Sequence, residues 1–213
     1  YKLGIWIRDS TAGVGTITFI DPSTKAFGGL GHGICDVDTG ELMPLGSADI
    51  YGADIIGINI GKKGLPGELK GQFKESLPIG NLKINSNQGV FGFLNLDFSN
   101  RTLMETALSS EITTGPATIL CTIDGNAPKE YTVNIEKVYK NSGEEKNLLV
   151  KVTDPVLLEK TGGIVQGMSG SPIIQNGKLI GAVTHVLVND PTKGFGIFIE
   201  NMIRTSEEAK KAA

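Results

Sequence analysis

The chain has 213 residues, of which 39% are hydrophobic, and carries a net charge of −3. That length can bury the core of one large β-domain or of two small barrels sharing an interface. The slightly acidic balance, without basic runs, argues against nucleic acid as a partner, and no segment reaches the roughly 20 apolar residues of a membrane-spanning helix.

Tyr1 opens directly into Leu3-Gly4-Ile5-Trp6-Ile7, with no signal peptide, and the missing initiator Met points to a piece of a longer protein. Glycine is frequent (29 residues) and punctuates short β-branched runs. Residues 14–20 and 26–30 predict two strands around the turn Asp21-Pro22-Ser23-Thr24, a hairpin whose far end carries His32. Further strands are expected at residues 55–60, 89–96, 117–122, 131–139 and 148–152, and a helical turn or two at 154–160. Asn176-Gly177, between residues 171–175 and 178–188, is the strongest hairpin signal in the chain. Residues 199–211 predict a C-terminal helix. Many short strands with turns at this spacing mean an all-β sandwich or barrel.

The segment Asp21-Pro22-Ser23-Thr24-Lys25-Ala26-Phe27-Gly28 is echoed by Asp190-Pro191-Thr192-Lys193-Gly194-Phe195-Gly196. Two turns of similar chemistry would explain this, and so would two related barrels. A boundary between Asn100-Arg101 and Gly115-Pro116 would divide the chain evenly, into approximate halves 1–110 and 111–213. Cys35 and Cys121 leave one disulfide open but make no disulfide framework. His32 and Cys35 lack the second close pair that a four-ligand zinc site needs, so neither metal nor cofactor is expected.

Two glycine-flanked motifs carry chemistry. Residues 162–172 read Gly-Gly-Ile-Val-Gln-Gly-Met-Ser-Gly-Ser-Pro, ahead of the apolar pair Ile173-Ile174. Gly167 and Gly170 let the backbone turn tightly around Ser169, and the N–H groups of Gly167 and Ser169 are candidates for an oxyanion hole. Gly-x-Ser-Gly alone is also the sequence of many inert turns. The second motif, Leu30-Gly31-His32-Gly33-Ile34, adds one of only two histidines in the chain. A serine hydroxyl needs a base to take its proton, and imidazole titrates near neutrality. The order His32 then Ser169, in an all-β chain, fits a two-barrel architecture and not the α/β-hydrolase order.

These two motifs, with Ile180-Gly181-Ala182-Val183-Thr184-His185-Val186 and Asn189-Asp190-Pro191-Thr192-Lys193-Gly194, resemble the SpoIVB sporulation peptidase family from about Leu3 to Ile203. The resemblance implies a two-barrel chymotrypsin-like serine protease fold with a short C-terminal helix, normally preceded by a membrane anchor and a PDZ domain. It implies a serine endopeptidase that acts through an acyl-enzyme, with Ser169 as nucleophile and His32 as base. Members resemble signalling proteases secreted from a forespore into the space between it and the mother cell. There they cleave themselves and act on a regulator of an intramembrane protease complex, so the expected partner is a protein or peptide substrate.

By the same resemblance the triad acid falls on Asp154, fifteen residues before Ser169. Generic two-barrel spacing would instead favour Asp49 or Asp54, and an Asp before Pro is also a common turn former. Met168 stands where many chymotrypsin-like enzymes carry Asp, which removes an activation switch based on a buried N-terminal ammonium. Ser171 stands where related sequences often have a second Gly. His185, sixteen residues after Ser169, reads either as a substrate contact or as a packed strand histidine. The rival to an enzyme is a non-catalytic β-barrel that binds a peptide or partner at a sheet edge.

Overall fold

A computed structural model describes residues 13–36, 38–45, 48–74, 77–98, 102–125, 127–140, 143 and 145–211. The apolar run at residues 3–7 and the Asn100-Arg101 end of the expected boundary lie outside them. The first half contains β1 (Ile17–Ile20), β2 (Ala26–Gly29), β3 (Asp49–Ile50), β4 (Ala53–Asn59), β5 (Glu68–Phe73), β6 (Gly80–Ser86) and β7 (Gly89–Leu94). The second contains β8 (Gly115–Cys121), β9 (Lys129–Val138), β10 (Leu148–Val152), α1 (Pro155–Thr161), β11 (Pro172–Gln175), β12 (Lys178–Val186), β13 (Lys193–Phe198) and α2 (Ile199–Lys211).

Period-2 alternation builds the second half. Along β9, Tyr131, Val133 and Ile135 turn inward while their neighbours face out. Antiparallel pairing closes six strands into a barrel in the order β10-β13-β12-β11-β8-β9. The β11–β12 hairpin turns at Asn176-Gly177 with φ of 52° and 77°, the left-handed pair of a type I′ turn. In the first half, β1-β2-β7-β6-β3 form a five-stranded sheet, while β4 and β5 make a separate ribbon. The ribbon leaves that sheet because its apolar side is claimed elsewhere. Ile55 and Leu69 pack into the barrel's core cluster, and bridges Ile55–Gly125 and Glu68–Gln166 tie the ribbon to the second half.

α2 locks the halves together from behind. Its fully buried Ile199 and Met202 pack with Phe91 of β7 and with Leu179, Ala182 and Ile197 of the barrel. Four strands escape the sequence pattern, among them the two-residue β3. β5 reads ELKGQF and is mostly exposed, β6 reads GNLKINS, and β13 reads KGFGIF. Each is specified by its neighbours rather than by intrinsic propensity. Both thiols are free, Cys35 exposed and Cys121 buried, and burial together with the charge of Asp154 pushes Cys121 up to about 12.

Candidate active site

The His32 loop starts where β2 ends. Leu30 and Gly31 both take left-handed φ values, 63° and 69°, which throw the chain off the sheet. Gly31 is required there, since a Cβ would lie 2.9 Å from Thr184 Cγ2 and 3.0 Å from Ile197 Cγ2. Asn85 of β6 fixes the far side of the loop. Its amide accepts from Ile34 N–H (2.8 Å) and donates to the carbonyls of Ile34 (2.8 Å) and Met43 (2.9 Å).

The serine turn is stapled to the same place from the other half. Thr16 N–H donates to the Ser169 carbonyl (2.8 Å), Leu30 N–H to the Thr16 carbonyl (3.1 Å), and Gly170 N–H to the Val183 carbonyl (2.8 Å). The buried Thr18 hydroxyl donates to the Gly170 carbonyl at 2.8 Å. Gly170 has φ of 89°, and a Cβ there would stand 2.0 Å from the Thr16 carbonyl oxygen, so no other residue fits. One segment, Thr16–Thr18, therefore joins the serine turn to the histidine loop.

The Ser169 hydroxyl rests on β12, donating to the Thr184 carbonyl at 2.9 Å. The next residue, His185, lays its ring against His32, with centroids 4.9 Å apart and an interplanar angle of 41°. His32 Nδ1 is 2.9 Å from the Gly33 carbonyl oxygen. A carbonyl only accepts, so Nδ1 carries the hydrogen in the neutral ring and Nε2 keeps a bare lone pair. Among the described residues, the N–H groups of Gly167 and Ser169 donate to no backbone carbonyl, which leaves both for an oxyanion. Gly167 has φ of 95°, and neighbouring Gln166 is tied to the ribbon through Gly67 and Leu69. Met168 is fully buried, and the Val165 N–H points at its sulfur. Among the described residues, the buried Ser171 hydroxyl has no hydrogen-bond partner.

The carboxylate expected from the resemblance is not brought to this group. Asp154 is the N-cap of α1: Oδ1 accepts from Val156 N–H (3.0 Å) and Leu157 N–H (3.1 Å), and Oδ2 from Thr132 N–H (3.2 Å). Asp-Pro at Ncap and N1 is a strong helix start, and it consumes the side chain locally. Asp49 is exposed on β3 opposite Asn81, and Asp54 sits on β4 opposite Gln72. Among the described residues no carboxylate hydrogen-bonds to His32. Sequence reasoning missed Asn85 and the carbonyls of Gly33 and Thr184; a backbone acceptor has no residue-type signature. The spacing of His185 from Ser169 was the one available signal for the ring pair.

The SpoIVB peptidase S55 family matches residues 1–203 of the chain. Comparison with curated proteins finds no match. A solved structure described as an HtrA-type protease AlgW with decapeptide is similar at a TM-score of 0.46 and 15% identity. That similarity covers 68% of this chain and 44% of the other, so the chain spans under half of that protein's length. With nearly its whole length matched, the chain belongs to the SpoIVB peptidase S55 family.

Proposed function

We propose that this domain is a serine endopeptidase in which Ser169 attacks the scissile carbonyl and His32 Nε2 takes the hydroxyl proton. The observation that carries this reading is the joint anchoring of the two motifs. A serine and a histidine 137 residues apart rest on adjacent residues of one strand, Ser169 on the Thr184 carbonyl and His32 on the His185 ring. Rotation of the Ser169 side chain away from Thr184 hands its proton to His32. The Oγ–C bond forms, and the oxyanion is met by the N–H groups of Gly167 and Ser169. His32 then returns the proton to the leaving amine as the C–N bond breaks, and water releases the acyl group by the reverse steps.

The Gly33 carbonyl holds the tautomer, the task a triad carboxylate performs elsewhere, but it supplies less compensation for the imidazolium. Family membership supports the wider reading of a sporulation signalling protease in the space between forespore and mother cell. There it would cleave itself and a regulator of an intramembrane protease. Complementation of a sporulating bacterium that lacks its own family member tests this. The native full-length protein should restore heat-resistant spores and undergo self-cleavage, and Ser169→Ala should do neither. Restoration by Ser169→Ala would contradict it.

A further inference from the structure

β12 touches both reacting side chains, and it does so through a local irregularity. The β12–β13 register shifts between Val183 and His185, so the regular alternation breaks at Thr184. The carbonyl of Thr184 then faces Ser169, while the ring of the very next residue meets His32. Behind His185 stands Phe195, its cross-strand partner on β13, with the Lys146 ammonium 5.4 Å from the Phe195 ring centroid. His32, His185, Phe195 and Lys146 thus form one row.

We propose that His185 is a positioning residue for the base: its uncharged ring, packed on His32, fixes the imidazole so that Nε2 faces Ser169 and tolerates the imidazolium that forms there. This rests on the assignment of His32 and Ser169 made above. Two physical needs make the role specific. Among the described residues, His32 Nδ1 meets the Gly33 carbonyl and no carboxylate, which leaves a single hydrogen bond to set the ring's rotation, and a misplaced base costs rate steeply. A neighbour in ring contact must also stay neutral, because a second cation at this distance would oppose protonation of His32. His185 is exposed near the end of β12, yet desolvation of its ring, followed by the charges of His32 and Lys146, lowers its pKa to about 4, so the ring is uncharged at neutral pH.

The test uses a fluorophosphonate probe, with labelling rate (kinact) and probe affinity (KI) measured from pH 5 to 9 on the domain. Thermal melts of the variants confirm their folding. His185→Ala should lower kinact about tenfold with little change in KI, whereas His185→Phe, which keeps a neutral ring, should stay within about threefold of the native rate. His185→Lys should fall furthest and move the midpoint of the pH profile to lower pH, since the added cation makes His32 harder to protonate. A His185→Ala variant with native kinact and an unmoved midpoint would overturn the proposal, as would a loss confined to KI, which marks a substrate contact instead. His32→Ala serves as the reference arm. Native labelling in that variant would instead remove the assignment of the base itself.

Discussion

His185 carries a pH dependence whose sign follows from its surroundings. Its folded pKa lies near 4, below the ordinary 6.5, because desolvation of the ring and then the charges of His32 and Lys146 disfavour the imidazolium. Protons therefore bind the unfolded chain in preference, and this contribution to stability is complete above about pH 6.5 and lost as pH falls towards 4. The native Tm should drop more steeply between pH 7 and 4 than that of His185→Phe; parallel curves would show the ring titrating as in a free peptide. His32 and Ser169 were legible in the sequence because glycines on both sides announce residues held at tight turns. Their orientation was not legible. The Thr184 and Gly33 carbonyls and the Asn85 clamp act through backbone placement, and only the folded chain reveals them.

At the scale of elements, α1 separates two readings of the same aspartate. Asp154 caps the helix through Val156 and Leu157 and adds Thr132, so its charge is used where it stands. Asp154→Asn keeps one carbonyl oxygen for the cap and should leave peptidase turnover near native. Asp154→Ala should cost about 0.5–2 kcal/mol of stability. Measured by thermal melts and fluorophosphonate labelling, this pattern contrasts with the roughly 10⁴-fold loss expected of a triad acid. The sequence pattern placed β10, both helices and the Asn-Gly hairpin well, since each has strong local chemistry. It missed β3, β5, β6 and β13, which are short or rich in polar residues or glycine and become strands only when a partner strand supplies the ladder. The Asp21 and Asp190 echo also resolves at this scale. Each carboxylate accepts hydroxyls of its own turn, joining β1 to β2 and β12 to β13, and both hairpins feed the site.

Across the whole molecule, the site exists because the two halves are held in one register. α2 buries Ile199 and Met202 against both, and the Thr16–Thr18 segment stitches the front. Thr18→Val keeps the shape of the side chain but strands the Gly170 carbonyl. It should cost about 1–3 kcal/mol and slow labelling of Ser169, whereas an unchanged melt and rate would mean the staple is dispensable.

The most direct test of the central claim, that Ser169 is a nucleophile activated by His32, is intact-mass measurement of fluorophosphonate labelling at neutral pH. One adduct per chain is expected, located on Ser169, absent in Ser169→Ala and His32→Ala and retained in Asp154→Asn. An unlabelled native protein, or an adduct that persists when His32 is removed, would contradict it.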